Sequence, residues 1–254
     1  MANLILDHFN PADCGLITEF IEQEPTLAAL HDRFLEEYGH RYEAMPPRFA
    51  NRHDPHRAFD PRKFEATLGI DVAHPTHPIS QWAIARRMAT TLRQPPYTTR
   101  DRMLLALAEV THDYGEAVQG IDIPFGDKTR QNEADELAAW RVAVKKIGGG
   151  LTGLLLEEIE PILDGKHPTL SSVFDASETI GYVQTGLRAA RYIFGEVAEF
   201  TPEQQAVLRS IATDVRGRQG PLVEEHRPTT PQLDLLIRCN NALWNACNIP
   251  SAAA

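Results

Sequence analysis

The chain has 254 residues, 43% of them hydrophobic, which is enough to bury one large core or two smaller ones. Its formal net charge of −10 at pH 7 disfavours a protein that binds nucleic acid through a broad basic surface, because attraction to phosphate requires a local excess of Lys and Arg. The three cysteines form no C-x-x-C pair, and the sequence shows neither a secretory signal nor an apolar run approaching ~18 residues. We therefore expect a cytoplasmic protein with no membrane segment.

Apolar residues recur mainly at steps of three and four along the whole chain, and this spacing predicts an all-α fold. The first such stretch, residues 15–38, should form two helices separated at Pro25, since proline interrupts a helix. The pattern then stops over residues 42–64, which are rich in Pro, Arg and His. We interpret this stretch as an irregular connection that marks a boundary or a lid.

Two helices connected by a short loop come next. The first is predicted from Pro78 to Leu92, with Pro78 acceptable in its first turn. The second should run from Arg100 to Gln119, with Thr98 or Thr99 as its N-cap. Further helices are predicted from residue 132 to the weakening glycines at 148–150, and then over residues 151–165, 171–200, 201–215 and 230–247.

The second of these helices ends in the stretch THDYGEAVQGIDIPFGDK, residues 111–128, which concentrates acids behind an apolar run. Adjacent His112 and Asp113 point about 100° apart on an ideal helix, so both reach one ion only where the helix distorts or packs against others. A divalent metal also needs N and O ligands from separate elements. His77 is the first candidate, because the loop brings the start of one helix near the end of the next.

These residues resemble the HD-domain phosphohydrolases, and most closely their 5'-deoxynucleotidase-like branch. The resemblance rests on His77, the His112-Asp113 pair, Glu116, the Gly-Ile-Asp-Ile-Pro turn, and Lys128 with Glu133, and it covers about half of the chain, residues 76–195. It implies an HD-domain helical bundle with extra N- and C-terminal helices. The corresponding division is an N-terminal extension (1–70), a core (71–200) and C-terminal helices (201–254).

The resemblance also implies one divalent metal ion, with Mn, Co, Mg, Zn and Fe as candidates. His77, His112 and Asp113 match its first three ligands. Glu116 matches the acid that handles the proton of the attacking water or of the leaving group. Asp122 matches the acid that approaches the nucleotide sugar, although Ile121 here separates it from Gly120.

The fourth ligand should be an Asp on the long helix after residue 170, where this sequence offers Glu178 or, as the alternative, Asp175. We predict Glu178. The phosphate charge that the metal leaves unneutralised requires basic groups, and the candidates are Lys128, Arg86 and Arg188.

The expected function is hydrolysis of a nucleotide or a similar small phosphate monoester. Two other functions remain open: a degenerate HD-fold protein that acts as a binding or scaffold module, and an HD-fold diiron oxygenase, which the shortage of histidine ligands disfavours. We expect the terminal segments to cap the cleft, to supply substrate contacts or to form a homodimer surface.

Overall fold

The computed structural model describes residues 14–45, 77–91, 97–123 and 128–181, together with six helical positions between residues 202 and 213. These parts of the chain contain helices and no strand, which confirms the all-α fold. The chain divides into two compact units, one of Met1–Arg48 and Ala73–Phe174 and the other of Phe49–Val72 and Asp175–Ala254. The division into an extension, an HD core and C-terminal helices stays a prediction.

Six α-helices of the first unit lie within the described residues. They are α1 (Cys14–Gln23), α2 (Pro25–Ala44), α3 (His77–Thr91), α4 (Thr99–Thr111), α5 (Tyr114–Gln119) and α6 (Arg130–Ile147). Short turns come next: a 3₁₀ turn at Gly149–Leu151, an α turn at Thr152–Leu154, a π turn at Leu155–Ile159 and an α turn at Glu160–Leu163. Residues 170–181 are also helical and are labelled α7.

Pro25 separates the first two helices as predicted. It is the first residue of α2, where the missing backbone N–H of proline costs no helical hydrogen bond. The prediction that an irregular stretch starts at residue 42 is wrong at its beginning, because α2 continues to Ala44 and buries Tyr42 in the core. The remainder of that stretch, from residue 46 onward, lies outside the described residues.

Of the two predicted caps for α4, the structure selects Thr98. Its hydroxyl accepts a hydrogen bond from the backbone N–H of Asp101 at 3.1 Å, and the Asp101 carboxylate accepts one from the Thr98 N–H at 2.8 Å. This reciprocal capping box satisfies two backbone donors that the first turn of a helix leaves open. At the other predicted boundary, α6 ends at Ile147 and Gly149 adopts a left-handed φ of 55°, which the glycine run allows.

Aromatic side chains connect the helices within the core of the first unit. Phe34 on α2 stacks on Tyr114 of α5, with ring centroids 3.6 Å apart, and Phe20 on α1 meets Trp82 of α3 edge to face at 5.1 Å. Helix α5 packs against both α2 and α6, and α3 packs along α4. These contacts bring the beginning of α3 to the end of α4, which is where the candidate site lies.

The described residues of the second unit are 175–181 and the six positions between 202 and 213. Leu208 and Ala212 are buried, and the Thr213 hydroxyl donates to the Arg209 carbonyl at 2.8 Å, as expected for the helix predicted over 201–215. The helix predicted over 230–247 lies outside the described residues. None of the helices in the described part of the chain has the length and apolar character needed to cross a bilayer.

Candidate metal centre

The chain leaves the helix at the His-Asp pair. A single helix from Arg100 to Gln119 was predicted, and this prediction is wrong: α4 ends at Thr111, α5 starts at Tyr114, and Asp113 between them has a ψ of 2°. At the break, the Nδ1 of His112 lies 2.7 Å from the carbonyl oxygen of Glu109, which in a continuing helix accepts from the amide of Asp113.

This break places the two side chains together instead of 100° apart. His112 Nε2 lies 2.9 Å from Asp113 Oδ1, although the two residues are neighbours in sequence. The Tyr42 hydroxyl on α2 donates to the Asp113 carbonyl at 3.3 Å and helps to hold the turn. A distortion of the helix, rather than a regular helix face, therefore creates the paired arrangement.

The hydrogen bonds of His112 determine which of its nitrogens can bind a cation. Nδ1 lies 2.7 Å from the Glu109 carbonyl oxygen, and because a carbonyl only accepts, Nδ1 must carry the proton. In the neutral ring the lone pair is then on Nε2, which faces the Asp113 carboxylate. Two acceptors 2.9 Å apart repel each other unless a proton or a metal ion lies between them.

His77 is the first residue of α3 and lies near the other oxygen of the same carboxylate. Its Nε2 lies 3.9 Å from Asp113 Oδ2, and its ring centroid is 5.5 Å from that of His112. The Gln81 amide, one turn along α3, lies 3.5 Å from the same His77 nitrogen. The structure thus brings together the three side chains that the sequence predicted as the first ligands.

The fourth predicted ligand, Glu178, is half-buried on α7. One turn earlier on that helix, the Phe174 ring packs edge to face against His112, with centroids 5.9 Å apart. His77 and His112, both in the first unit, could each offer a ring nitrogen to a metal ion, and Glu178 belongs to the second unit. The alternative ligand, Asp175, is exposed.

Glu116 is the buried acid of the site, with only 5% of its surface exposed. Burial raises the pKa of its carboxyl to about 8, the negative charge of Asp113 adds to the effect, and the positive charge of Lys128 opposes it. Its Oε1 accepts from Lys128, whereas its Oε2 is buried without a hydrogen-bond partner among the described residues. A carboxyl in this environment holds its proton to near-neutral pH.

Lys128 was predicted to contact phosphate, and the structure places its ammonium between two carboxylates. Nζ lies 2.9 Å from Glu116 Oε1 and 2.7 Å from Glu136 Oε2. Burial lowers the pKa of this lysine, but the two carboxylates outweigh burial and raise it. Lys128 is therefore positively charged whatever the pH of an ordinary assay.

Glu136 is not among the residues predicted from the sequence. Glu133, which is part of the family resemblance, is exposed at the start of α6. A signal was present, because Glu136 precedes the buried Trp140 by four residues and so falls on the buried stripe of the helix. Glu109, fully buried on α4, was missed as well.

The remaining predicted residues lie in different places. Arg86 pairs with Glu19 of α1 at 2.5 Å and lies over the Trp82 ring, and it is exposed. Asp122 is half-buried in the irregular segment that follows the left-handed Gly120, and its negative charge contributes to the raised pKa of Glu116. Arg188 lies outside the described residues. The substrate roles of all three stay predictions.

Gly115 permits the close approach of α5 to α6. A Cβ atom at this position would lie 2.3 Å from the backbone oxygen of Glu136 and 2.9 Å from its Cγ. We expect Gly115→Ala to lower the free energy of unfolding by about 1–3 kcal/mol, because the two helices must separate. Urea denaturation measures this change.

Gly153 provides the matched control for that substitution. It is exposed in a helical turn, and a Cβ there would meet nothing within 4 Å. Gly153→Ala should leave stability unchanged or raise it by roughly 0.5–1 kcal/mol, because alanine loses less backbone entropy than glycine on folding. Equal stability of the two variants would contradict the close approach of α5 and α6.

Comparison of the chain with protein-family models, with curated proteins and with solved structures gives no match.

Proposed function

We propose that the protein is a metal-dependent phosphohydrolase that releases phosphate from a nucleotide or a similar small phosphate monoester. The orientation of His112 carries the proposal. Its Nδ1–H donates to the Glu109 carbonyl. Its Nε2 therefore presents a lone pair to the Asp113 carboxylate, 2.9 Å away. Metal-binding histidines are commonly oriented in this way, by a carbonyl that fixes the other ring nitrogen.

The donor set suits a borderline divalent cation. We propose that His77, His112, Asp113 and Glu178 hold the ion through two imidazole nitrogens and two carboxylate groups. Mn, Co, Zn and Fe accept both kinds of donor, whereas Mg prefers a set made of oxygen alone. The described residues supply two histidines at this place, which favours a site for one ion.

A divalent ion bound by these residues would lower the pKa of a water molecule and neutralise charge on the phosphoryl group. Glu116 would handle the proton. Burial raises the pKa of its carboxyl in the metal-free chain, which favours proton exchange near neutral pH. The ionised carboxylate would accept a proton from the attacking water and then return it to the leaving oxygen. We assign Asp122 the contact with the sugar, as the family resemblance implies.

Metal analysis and phosphate release test the proposal together. The purified chain should contain close to one divalent ion per molecule. It should also release phosphate from at least one member of a panel of nucleoside monophosphates when Mn, Co, Mg or Zn is added. Chelation should abolish the release, and restoring the ion should recover it.

The alternatives give different results in the same experiment. A chain that binds no ion and releases no phosphate with any of them would contradict the hydrolase and support a binding or scaffold module. Oxygen consumption without phosphate release would support a diiron oxygenase instead.

A further inference from the structure

A buried ion triad lies beside the candidate metal centre. The Lys128 ammonium lies between Glu116 Oε1 at 2.9 Å and Glu136 Oε2 at 2.7 Å, and the three side chains are 18%, 6% and 20% exposed. An ammonium has three N–H donors, of which two are directed to these carboxylates. Lys128 is thus part of a bonded group inside the protein and not an extended surface side chain.

The charges of the triad disfavour a phosphate contact by Lys128. One positive charge faces two carboxyl groups, and Asp113 and Asp122 add negative charge around Glu116. Breaking a buried ion pair to reach a substrate is unfavourable, because it leaves a buried carboxylate without its partner. An anionic phosphate therefore gains little from this lysine and would disturb two existing bonds.

The position of Glu136, the third member of the triad, is fixed by the close packing of α5 against α6. Gly115, next to Glu116, lies so close to Glu136 that even a methyl group would meet its backbone oxygen and its Cγ. The main chain of Glu136 is consequently held against α5. The position of its carboxylate on Lys128 follows from helix packing as well as from charge.

We infer that Lys128 and Glu136 are positioning residues for Glu116: together they orient its carboxyl and set its proton affinity, and Lys128 is not a substrate contact. This inference rests on the proposed function in one respect, namely that Glu116 is the group that handles the proton. The Lys128 assignment replaces the phosphate contact that the sequence suggested.

The other charged and titratable groups around α5 have partners of their own. On α2, His31 Nδ1 lies 3.2 Å from the Tyr114 hydroxyl, Tyr42 donates to the Asp113 carbonyl, and Arg41 donates to the Val118 carbonyl. In the turn before α5, His112 is bonded to the Glu109 carbonyl. The charges that act on Glu116 itself are those of Asp113, Lys128, Asp122 and Glu136.

Removing the two partners of Glu116 separately should have opposite effects. Glu136→Gln removes a negative charge and should lower the pKa of Glu116, whereas Lys128→Met removes a positive charge and should raise that pKa by a larger amount, because Lys128 acts on Glu116 more strongly than Glu136 does. In the double variant, the pKa of Glu116 should lie between those of the two single variants. A role limited to stability would not shift this pKa in opposite directions.

Two measurements on the full chain test the inference. The first is the pH dependence of kcat/KM for the metal-loaded protein with the nucleoside monophosphate that it hydrolyses fastest. The second is the pH titration of the Glu116 side-chain carboxyl carbon by NMR, in metal-free protein labelled with ¹³C-glutamate and assigned with Glu116→Gln. Glu133→Gln, an exposed acid on the same helix, is the matched control and should shift neither midpoint.

The two measurements separate failure of the inference from failure of the proposed function. If the wild-type chain hydrolyses nothing but the NMR midpoints move apart as expected, the triad is confirmed and the hydrolase is wrong. Unchanged midpoints in Glu136→Gln and Lys128→Met, with a higher KM in the lysine variant alone, would overturn the inference and restore Lys128 as a phosphate contact. Glu136→Gln preserves side-chain size, so it remains informative if Lys128→Met does not fold.

Discussion

Asp113→Asn should abolish metal binding while leaving the fold intact. Asp113 faces both histidines, at 2.9 Å from His112 and 3.9 Å from His77, so its loss removes the negative charge that a cation would share with them. Changes to the partners of metal ligands already cost about 10- to 100-fold in affinity, and we expect removal of a ligand to cost at least that much. Phosphate release should fall in parallel. Isothermal titration calorimetry with Zn or Mn measures the loss of metal affinity.

The same substitution should not destabilise the metal-free chain. An asparagine amide can donate to His112 Nε2, whereas the native carboxylate and the neutral ring present two acceptors to each other. Thermal unfolding without metal should therefore give a midpoint equal to that of the wild type or higher. Asp135→Asn, an exposed position on α6, is the control and should retain full metal affinity. Native metal affinity in Asp113→Asn would remove this residue from the ligand set.

Glu116→Gln should have the opposite pattern, with metal retained and turnover lost. The amide keeps the shape of the side chain, and its oxygen can still accept from Lys128, but it cannot take or return a proton. General acid–base groups contribute about 10²- to 10⁴-fold to rate, and we expect a fall in kcat of that size. Metal content by elemental analysis should stay that of the wild type. Equal losses of metal in the Asp113 and Glu116 variants would contradict the separation of roles.

Glu116→Gln should also stabilise the metal-free protein as the pH rises. The native carboxyl has its pKa raised from 4.5 to about 8, so between these values the unfolded chain has lost a proton that the folded chain still holds. Unfolding of the wild type is therefore increasingly favoured across this range, while glutamine contributes no such dependence. The free energy of unfolding of the variant should exceed that of the wild type. The difference should grow from pH 4.5 to pH 8 and reach on the order of 1–3 kcal/mol.

Urea unfolding of both proteins at several pH values measures this difference. Glu133→Gln serves again as the control, because that side chain is exposed. A constant difference between wild type and Glu116→Gln at all pH values would show that the Glu116 carboxyl ionises normally in the folded protein.

Local rules were sufficient for most helix boundaries. Pro25 begins α2, Thr98 caps α4, and the glycine run closes α6, because each residue acts through its own backbone geometry or through a partner a few positions away. The position at which α2 ends could not be predicted from local rules. Its last turn is held by burial of Tyr42 against other helices, which no local pattern encodes.

The break between α4 and α5 shows why periodicity failed at the site. Apolar spacing continues through residues 104–117 as it would in one helix, and the two buried helices share the same core. At the interruption, the His112 side chain bonds the Glu109 carbonyl, and this bond competes with the backbone hydrogen bond of a continuing helix. A competition of this kind between side chain and backbone has no signature in hydrophobic patterning.

The sequence by itself determined the all-α class, most of the helices and the residue types that could bind a metal, because these follow from spacing and from side-chain chemistry. Only the tertiary structure decided which of those residues meet. It turned His112 and Asp113 toward each other, brought His77 to them and enclosed Lys128 between Glu116 and Glu136. The reason is physical: the proton affinity of Glu116 depends on burial and on charges that come from several helices, and distances between helices are set by packing.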